Sequence, residues 1–80
     1  MRIITHIPIQ TITTDHVPIG PRAFAIAQHL SSGGSVPPIH VMPLNTGVYR
    51  ILDGRHRLQA HKLIGCRYIL ARYGRRDRND

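Results

Sequence analysis

Apolar positions in the first half of the chain predict one strand and one helix. Residues 2–12 are rich in β-branched isoleucine and are interrupted by Pro8, which favours an extended strand with a break. Residues 13–20 have no periodic pattern and predict a loop. The helix is expected to begin at Pro21, because proline suits the first helical position. Its apolar residues have the spacing of one buried helix face: Ala23, Ile26, Ala27 and Leu30.

The second half of the chain predicts a hairpin, a helix and a last strand. The expected elements are strands over residues 36–42 and 48–52, a helix over residues 55–64 and a strand over residues 67–73. A turn between the first two of these strands should join them as a hairpin. Gly65 is expected to end the helix in the left-handed conformation. Residues 74–80 contain no apolar side chain and predict a flexible basic tail.

The apolar pattern of the second helix is imperfect. Ala60, Leu63 and Ile64 share one arc of the helix, whereas Leu58 lies elsewhere. Either this helix is sandwiched between two layers, or the helical phase assumed at its start is wrong. The order of elements predicts an α+β (α/β-like) domain over residues 1–73, in which two helices pack on a small mixed sheet.

Composition limits the core and points to anionic partners. The 80 residues suffice for one small domain, and with one Phe, three Tyr and no Trp the core must consist of Ile, Leu, Val and Ala. So thin a core suits a homodimer or stabilisation by a ligand. The chain has 11 Lys and Arg against 4 Asp and Glu, a net charge of +7, which favours nucleotides or a nucleic-acid backbone.

Cysteine and histidine usage argues against disulfides and metal clusters. Cys66 is the single cysteine, so no intrachain disulfide forms, and a reducing, cytoplasmic location is expected. No apolar run approaches the roughly 20 residues of a membrane span, and neither a signal peptide nor membrane association is expected. The six histidines are scattered, and His56 and His61 are five residues apart, unlike the i, i+4 pair of a helical zinc site.

The most informative segment lies between the third predicted strand and the second predicted helix. It reads Asp53, Gly54, Arg55, His56 and Arg57. A glycine at a strand-to-helix junction lets backbone N–H groups approach an anion, and the helix N-terminus adds partial positive charge. Cations in a first helical turn oppose the helix dipole, so an anionic partner is needed to offset them. We interpret residues 54–57, called here the basic turn, as a phosphate site.

Three residues beside the basic turn are further candidates. Asp53 suits the helix N-cap and alternatively coordinates a nucleotide-bound Mg²⁺, and the cap is the preferred interpretation. Arg22, near the start of the first helix, is either a second phosphate contact or a solvated cation. His29 lies two turns further along the same face of that helix.

A family resemblance supports the phosphate interpretation. Residues 51–60, with residues 62–65 behind them, resemble the arginine-rich box of the ParB N-terminal domain, which has the ParB/sulfiredoxin fold. Residues 35–41 resemble the segment that enters a strand in sulfiredoxins, and the resemblance covers about residues 3–73. It implies a nucleotide site, in which the turn wraps the phosphates of ATP in sulfiredoxin-like members and of CTP in partition proteins.

The resemblance assigns roles to individual residues. The phosphate ligands carried over from the turn are Gly54, Arg55, His56 and Arg57. Arg22 is expected to reach the nucleotide from the first helix, with His29 further along, and Mg²⁺ is expected to accompany the nucleotide. Hydrolysis or phosphotransfer also needs a base, for which His56, Asp53 and His29 are weak candidates, so enzymatic activity stays open.

Two departures from the family pattern change the expected function. Sulfiredoxins carry their catalytic cysteine where Arg55 stands here, so sulfinic-acid reductase activity is not expected. The chain also ends before the helix-turn-helix and dimerisation domains of partition proteins, and a stand-alone nucleotide-binding domain is expected. Two alternatives stay open: a DNA-binding accessory or nuclease-like ParB-type protein of a plasmid or phage, and a regulatory or interaction module without a working site.

Overall fold

The structure is a computed structural model that describes residues 2–74. The described elements are β1 (Arg2–Pro8), β2 (Ile12–Thr13), α1 (Pro21–Ser31), β3 (Ile39–Pro43), β4 (Tyr49–Asp53), α2 (Arg55–Leu63) and β5 (Tyr68–Gly74). A short 3-10 helix (Ile9–Thr11) separates β1 from β2. The predicted α+β class is confirmed. Gly74 ends β5, so the predicted tail begins one residue too early, and the rest of that tail lies outside the described residues.

The five strands form one mixed sheet in the order β1-β5-β3-β4-β2. Strands β3 and β4 pair antiparallel, which confirms the predicted hairpin, and β5 pairs antiparallel with β1 and parallel with β3. The hairpin is irregular between His40 and Val41, where β4 carries an extra residue. Strand β3 begins later than predicted because Pro37 and Pro38 have no N–H to donate to a neighbouring strand.

The predicted first strand is divided at Pro8, as expected, and the break sends its two halves to opposite edges of the sheet. Strand β1 lies beside β5, whereas β2 pairs parallel with β4 at the other edge. Four residue steps from Pro8 to Ile12 reach at most about 14 Å, whereas the edges of a flat five-stranded sheet lie about 19 Å apart. The sheet is therefore curved, and the 3-10 helix crosses between its edges.

The concave side of this sheet holds the core, and the expectation of an aliphatic core is confirmed. Residues that face one way along the paired strands form a cluster with one leucine of α2: Ile7, Ile9, Ile12, Ile39, Val41, Ile51, Leu58, Ile69 and Ala71. The alternation predicted for the last strand is also correct, since Ile69 and Ala71 are buried while Tyr68 is exposed.

Helix α2 is sandwiched between the sheet and α1. Leu58 is buried in the sheet core, and Ala60, on the other side of the helix, is also fully buried. Helix α1 packs chiefly on α2 and buries the small residues Ala23 and Ala27. The predicted arc is wrong for Leu63 and Ile64, which are 39% and 38% exposed. Neither of the two described helices is long and apolar enough to cross a membrane.

The two leucines of α2 provide a test of this packing. We expect Leu58→Ala to lower the free energy of unfolding by about 3 kcal/mol, because it removes a fully buried side chain. The control Leu63→Ala, at a position that is 39% exposed, should cost less than about 1 kcal/mol. Urea denaturation followed by circular dichroism measures both values. Equal losses would contradict the sandwiched arrangement.

Candidate anion-binding site

The basic turn begins at a glycine that no other residue could replace without strain. Gly54 has φ +107°, in the left-handed region. A Cβ atom built on it would lie 2.6 Å from Cγ2 of Ile39 and 3.1 Å from Nη2 of Arg57. Both the backbone conformation and the close approach to the core therefore require glycine. This contact fixes where the first turn of α2 lies relative to the sheet.

Helix α2 starts without a side-chain cap. Gly54 is the N-cap residue, no side chain accepts a hydrogen bond from the first turn, and that turn contains no acidic residue. The expectation that Asp53 caps the helix is wrong, because Asp53 is the last residue of β4 and its carboxylate accepts a hydrogen bond from Arg57 instead. The first backbone N–H groups of α2 are consequently available to a ligand.

Helix α1 begins in the same way on the other side of a shared cleft. Its N-cap residue is Gly20, Pro21 occupies its first turn, and no side-chain cap or acidic residue is present there. Arg22 lines the cleft together with residues 53–57, and the wall is completed by Ile26, Val36 and Pro37. The cleft has a volume of about 480 Å³. The structure thus brings the predicted residues Arg22, Gly54, Arg55, His56 and Arg57 together.

Arg57 is held by the protein itself. Its Nη1 donates to the carbonyl oxygens of Pro37 at 3.0 Å and Pro38 at 2.8 Å, and its Nη2 donates to Asp53 at 3.1 Å. The side chain is only 18% exposed. These bonds tie the loop before β3 to the end of β4, so Arg57 shapes the cleft wall and has few N–H groups left for an anion.

Arg55 and His56 are the accessible basic residues of the basic turn. The Arg55 side chain is 41% exposed, and its single ion pair, with Asp15, has a long N–O distance of 3.8 Å to a carboxylate that is 89% exposed. Such a pair contributes little stability in water. His56 is half-buried and lines the cleft. These two residues and Arg22 are free to turn toward an anion.

His29 does not line the cleft. One of its ring nitrogens lies 3.0 Å from the carbonyl oxygen of Ser35, and the ring packs so closely on Gly34 that a Cβ there would overlap it. His29 therefore supports the loop after α1. The only indication that His29 contacts a phosphate was its helical spacing from Arg22. That spacing does not specify the path of the Ser-Gly segment after α1, which His29 contacts instead.

The sequence prediction missed the acceptors that orient Arg57. The carbonyls of Pro37 and Pro38 come from a segment interpreted as strand, and the Asp53 carboxylate was assigned to the helix cap. The i, i+4 spacing of Asp53 and Arg57 was a usable indication, since such pairs meet on a helix surface. No comparable pattern indicates the proline carbonyls.

Residues 2–74 contain no cluster of side chains suited to binding a metal ion. This part of the chain holds no group of three or more His, Cys, Asp or Glu side chains able to share a metal ion. Cys66 follows α2 and packs against the core, at the end of the helix opposite the basic turn. The only acidic residue that lines the cleft is Asp53.

Comparison with known proteins agrees with this architecture. The sequence model of the ParB N-terminal domain matches residues 2–79. Among solved structures, 11 chains match. One of these, the crystal structure of sulfiredoxin from Arabidopsis thaliana, has a TM-score of 0.73 at 21% sequence identity and covers 92% of this chain and 86% of that chain. A comparison with curated protein sequences gives no significant match.

The requirement for glycine at the start of α2 can be measured. We expect Gly54→Ala to lower the free energy of unfolding by about 2–4 kcal/mol, because left-handed strain adds to overlap with Ile39. The control is Gly47→Ala, which has φ +75° and open space around it, and should cost about 1 kcal/mol from strain alone. Chemical denaturation compares them. A Gly54 variant as stable as the Gly47 variant would refute the steric account.

The structural role of Arg57 separates it from Arg55. Arg57→Ala removes charge-assisted bonds to two carbonyls and a carboxylate, and we expect it to cost about 2 kcal/mol of stability. Arg55→Ala removes only a long, exposed ion pair and should change stability by about 0.5 kcal/mol or less. Thermal unfolding without ligand gives both numbers. A larger loss for Arg55 than for Arg57 would reverse these assignments.

Proposed function

We propose that this chain, which belongs to the ParB N-terminal domain family, binds the phosphates of a nucleoside di- or triphosphate of the ATP or CTP type. The observation that carries the proposal is the cleft between α1 and α2. There the uncapped N-terminus of α2, which has no acidic residue in its first turn, meets three accessible basic side chains: Arg22 from the first turn of α1, and Arg55 and His56.

Physical chemistry favours a compact phosphate group in this cleft. The free N–H groups and the dipole at the start of α2 attract negative charge, and guanidinium groups bind phosphate oxygens through paired hydrogen bonds. Gly54 lets the start of α2 lie directly against Ile39 of the core, where a side chain would not fit. Arg57 keeps the wall in place, so the ligand need not order it on binding.

The residues present also suit Mg²⁺ carried by the ligand. Mg²⁺ in nucleotide sites is commonly held by phosphates and one or two carboxylates. Asp53 supplies one carboxylate at the cleft, and only its Oδ2 atom is engaged, by Arg57. We therefore assign Asp53 to metal contact rather than to a catalytic base, because its Oδ2 atom already accepts a hydrogen bond from Arg57. His56 is the better candidate for a base, should hydrolysis occur.

DNA binding is the second candidate function, and the charge of the chain favours it. Eleven Lys and Arg residues against 4 Asp and Glu give a net charge of +7, and charge of this sign attracts any polyanion. The two functions differ in how they use the cations. A phosphate site depends on a few particular side chains, whereas binding to the DNA backbone depends on the summed charge of many side chains.

Nucleotide binding is tested by thermal shift. We expect ATP or CTP with Mg²⁺, at 100 times its dissociation constant, to add about 2.7 kcal/mol of stability, and hence to raise Tm by about 10 °C or more in so small a domain. Arg22→Ala and Arg55→Ala should each weaken binding by roughly 10- to 100-fold, because each removes charge-assisted hydrogen bonds. ADP, GTP and tripolyphosphate complete the panel.

The matched control for these variants is Arg67→Ala. Arg67 is an exposed arginine between α2 and β5 that does not line the cleft, so its removal subtracts the same charge elsewhere. We expect the nucleotide affinity of Arg67→Ala to stay within about twofold of that of the parent chain. No shift with any ligand, or equal losses in all three arginine variants, would contradict a specific phosphate site.

Salt dependence distinguishes DNA binding from nucleotide binding. The affinity for duplex DNA should fall with salt at a log–log slope of about −0.9 per neutralised phosphate, and Arg67→Ala should then weaken binding as much as Arg55→Ala. Fluorescence anisotropy with a labelled 20-base-pair duplex measures this. A steep slope with no nucleotide effect would favour DNA binding as the function.

A further inference from the structure

Strand β1 lies at one edge of the sheet and pairs with β5 on one side only. The register of this pair shows which backbone groups of β1 are used. The N–H of Ile9 donates to the carbonyl oxygen of Arg67 at 2.9 Å, and these two residues continue the β1–β5 register by one step. In an antiparallel pair, residues that exchange hydrogen bonds alternate with residues whose backbone groups point away. Ile3, Thr5 and Ile7 therefore bond to β5, as Ile9 does.

The remaining residues of β1 direct their backbone groups to the free edge. Arg2, Ile4 and His6 each present one N–H and one C=O there, and no loop of the described chain bonds to them. Pro8, at the end of the strand, has no N–H, and its outward carbonyl already accepts a hydrogen bond from Oγ1 of Thr11 at 2.6 Å. The open part of the edge therefore offers three donors and three acceptors.

This edge lacks the features that usually protect an edge strand. Natural sheets limit pairing with other chains by charged side chains, prolines or bulges along the edge strand, or by making that strand very short. Residues 3–7 contain no lysine, arginine, acidic residue or proline, and the β1–β5 register has no bulge. By contrast, β2 at the other edge has only two residues. The β1 edge is therefore suited to pair with another strand.

A second copy of this chain matches the open edge. When two β1 strands pair antiparallel about a two-fold axis at Ile4, Ile4 lies opposite Ile4 of the second copy, and Arg2 lies opposite its His6. Three residue pairs then exchange two hydrogen bonds each, and every free N–H and C=O of the edge is bonded. Pro8 lies outside this ladder. A register centred on Thr5 would instead place Pro8 opposite Arg2, whose carbonyl would find no donor.

The positive charge of the chain opposes this association only at long range. Each copy has a net charge of +7, but Arg2 faces a histidine of the second copy and not its own counterpart. Arg72 lies beside Ile4 on β5, and three strand spacings, about 14 Å, separate it from Arg72 of the second copy. This distance exceeds the Debye length of about 8 Å at physiological ionic strength. Salt should therefore strengthen the association, whereas it weakens binding to DNA.

We propose that β1 is a homodimerisation edge, at which two copies of this chain pair through Arg2, Ile4 and His6 to form one continuous sheet. None of these three residues lines the phosphate cleft, and the proposal does not depend on nucleotide binding. The ladder is short, and interfaces of small area form weak complexes. We therefore expect a dimer with a dissociation constant in the micromolar to millimolar range.

Sedimentation equilibrium of the full chain, from about 10 μM to about 1 mM, tests the association. We expect a dimer that tightens as the NaCl concentration rises. Ile4→Lys should weaken it at least tenfold, because it places two ammonium groups opposite each other. The control is Met42→Lys, which adds the same charge at a 39% exposed position of β3, a strand with neighbours on both sides. The dissociation constant of Met42→Lys should stay within about twofold of that of the parent chain.

Cysteine cross-linking tests the register. In a Cys66→Ser background the introduced thiol is the only one in the chain. Two Ile4→Cys chains should form a disulfide under mild oxidation, because their Cα atoms lie about 5.5 Å apart in the proposed register. His6→Cys, on the same face of the same strand, lies about 14 Å from its counterpart and should not cross-link with itself. A mixture of Arg2→Cys and His6→Cys chains should cross-link. Non-reducing electrophoresis measures all three.

Amide hydrogen exchange shows which backbone groups the dimer uses. The amides of Ile4 and His6 should become protected as the chain concentration rises, whereas the amides of Thr5 and Ile7, which bond to β5, should not change. Protection of Ile4 and His6 at every concentration would show that the chain covers its own edge and would refute the proposal.

Other outcomes also overturn the proposal. A chain that stays monomeric at about 1 mM contradicts it, as does a dimer that is unaffected by Ile4→Lys. Equal cross-linking of Ile4→Cys and His6→Cys would contradict the register. Thermal unfolding of each variant confirms that a loss of association is not a loss of fold.

Discussion

The contact between Gly54 and Ile39 determines the geometry on which the rest of the site depends. Ile39 is fully buried in the middle of the sheet, and Gly54 approaches it so closely that no side chain fits between them. The left-handed conformation at Gly54 then turns the chain from β4 directly into α2. Leu58, one turn later, enters the same core. The free N–H groups at the start of α2 are therefore positioned by core packing and not by a flexible loop.

The three consecutive basic residues at that helix start have different surroundings, because each step along a helix rotates the side chain by about 100°. Arg57 faces the loop before β3 and bonds to its carbonyls, Arg55 points toward Asp15, and His56 lines the cleft. A sequence motif presents these residues as equivalent phosphate ligands. The structure shows instead that Arg57 bonds to the protein itself and orders the cleft wall, whereas Arg55 and His56 remain accessible.

Sequence patterns correctly predicted the elements that bury only one face. Helix α1 buries one face, so the spacing of Ala23 and Ala27 identified it, and β5 alternates because one side of it meets the core. Helix α2 buries two opposite sides, at Leu58 and Ala60, so no single periodic arc describes it. The sequence showed that the first strand breaks at Pro8. It did not show that the two halves lie at opposite edges of the sheet, because periodicity does not specify which strand each half pairs with.

The net charge of the chain does not show where its acidic residues lie relative to its arginines. Both acidic residues of the described chain lie beside arginines of the basic turn: Asp15 is near Arg55, and Asp53 bonds to Arg57. The cleft is thus less positive than its arginines alone suggest, and a diffuse polyanion gains less there than a phosphate group that enters and contacts the N-terminus of α2 at short range.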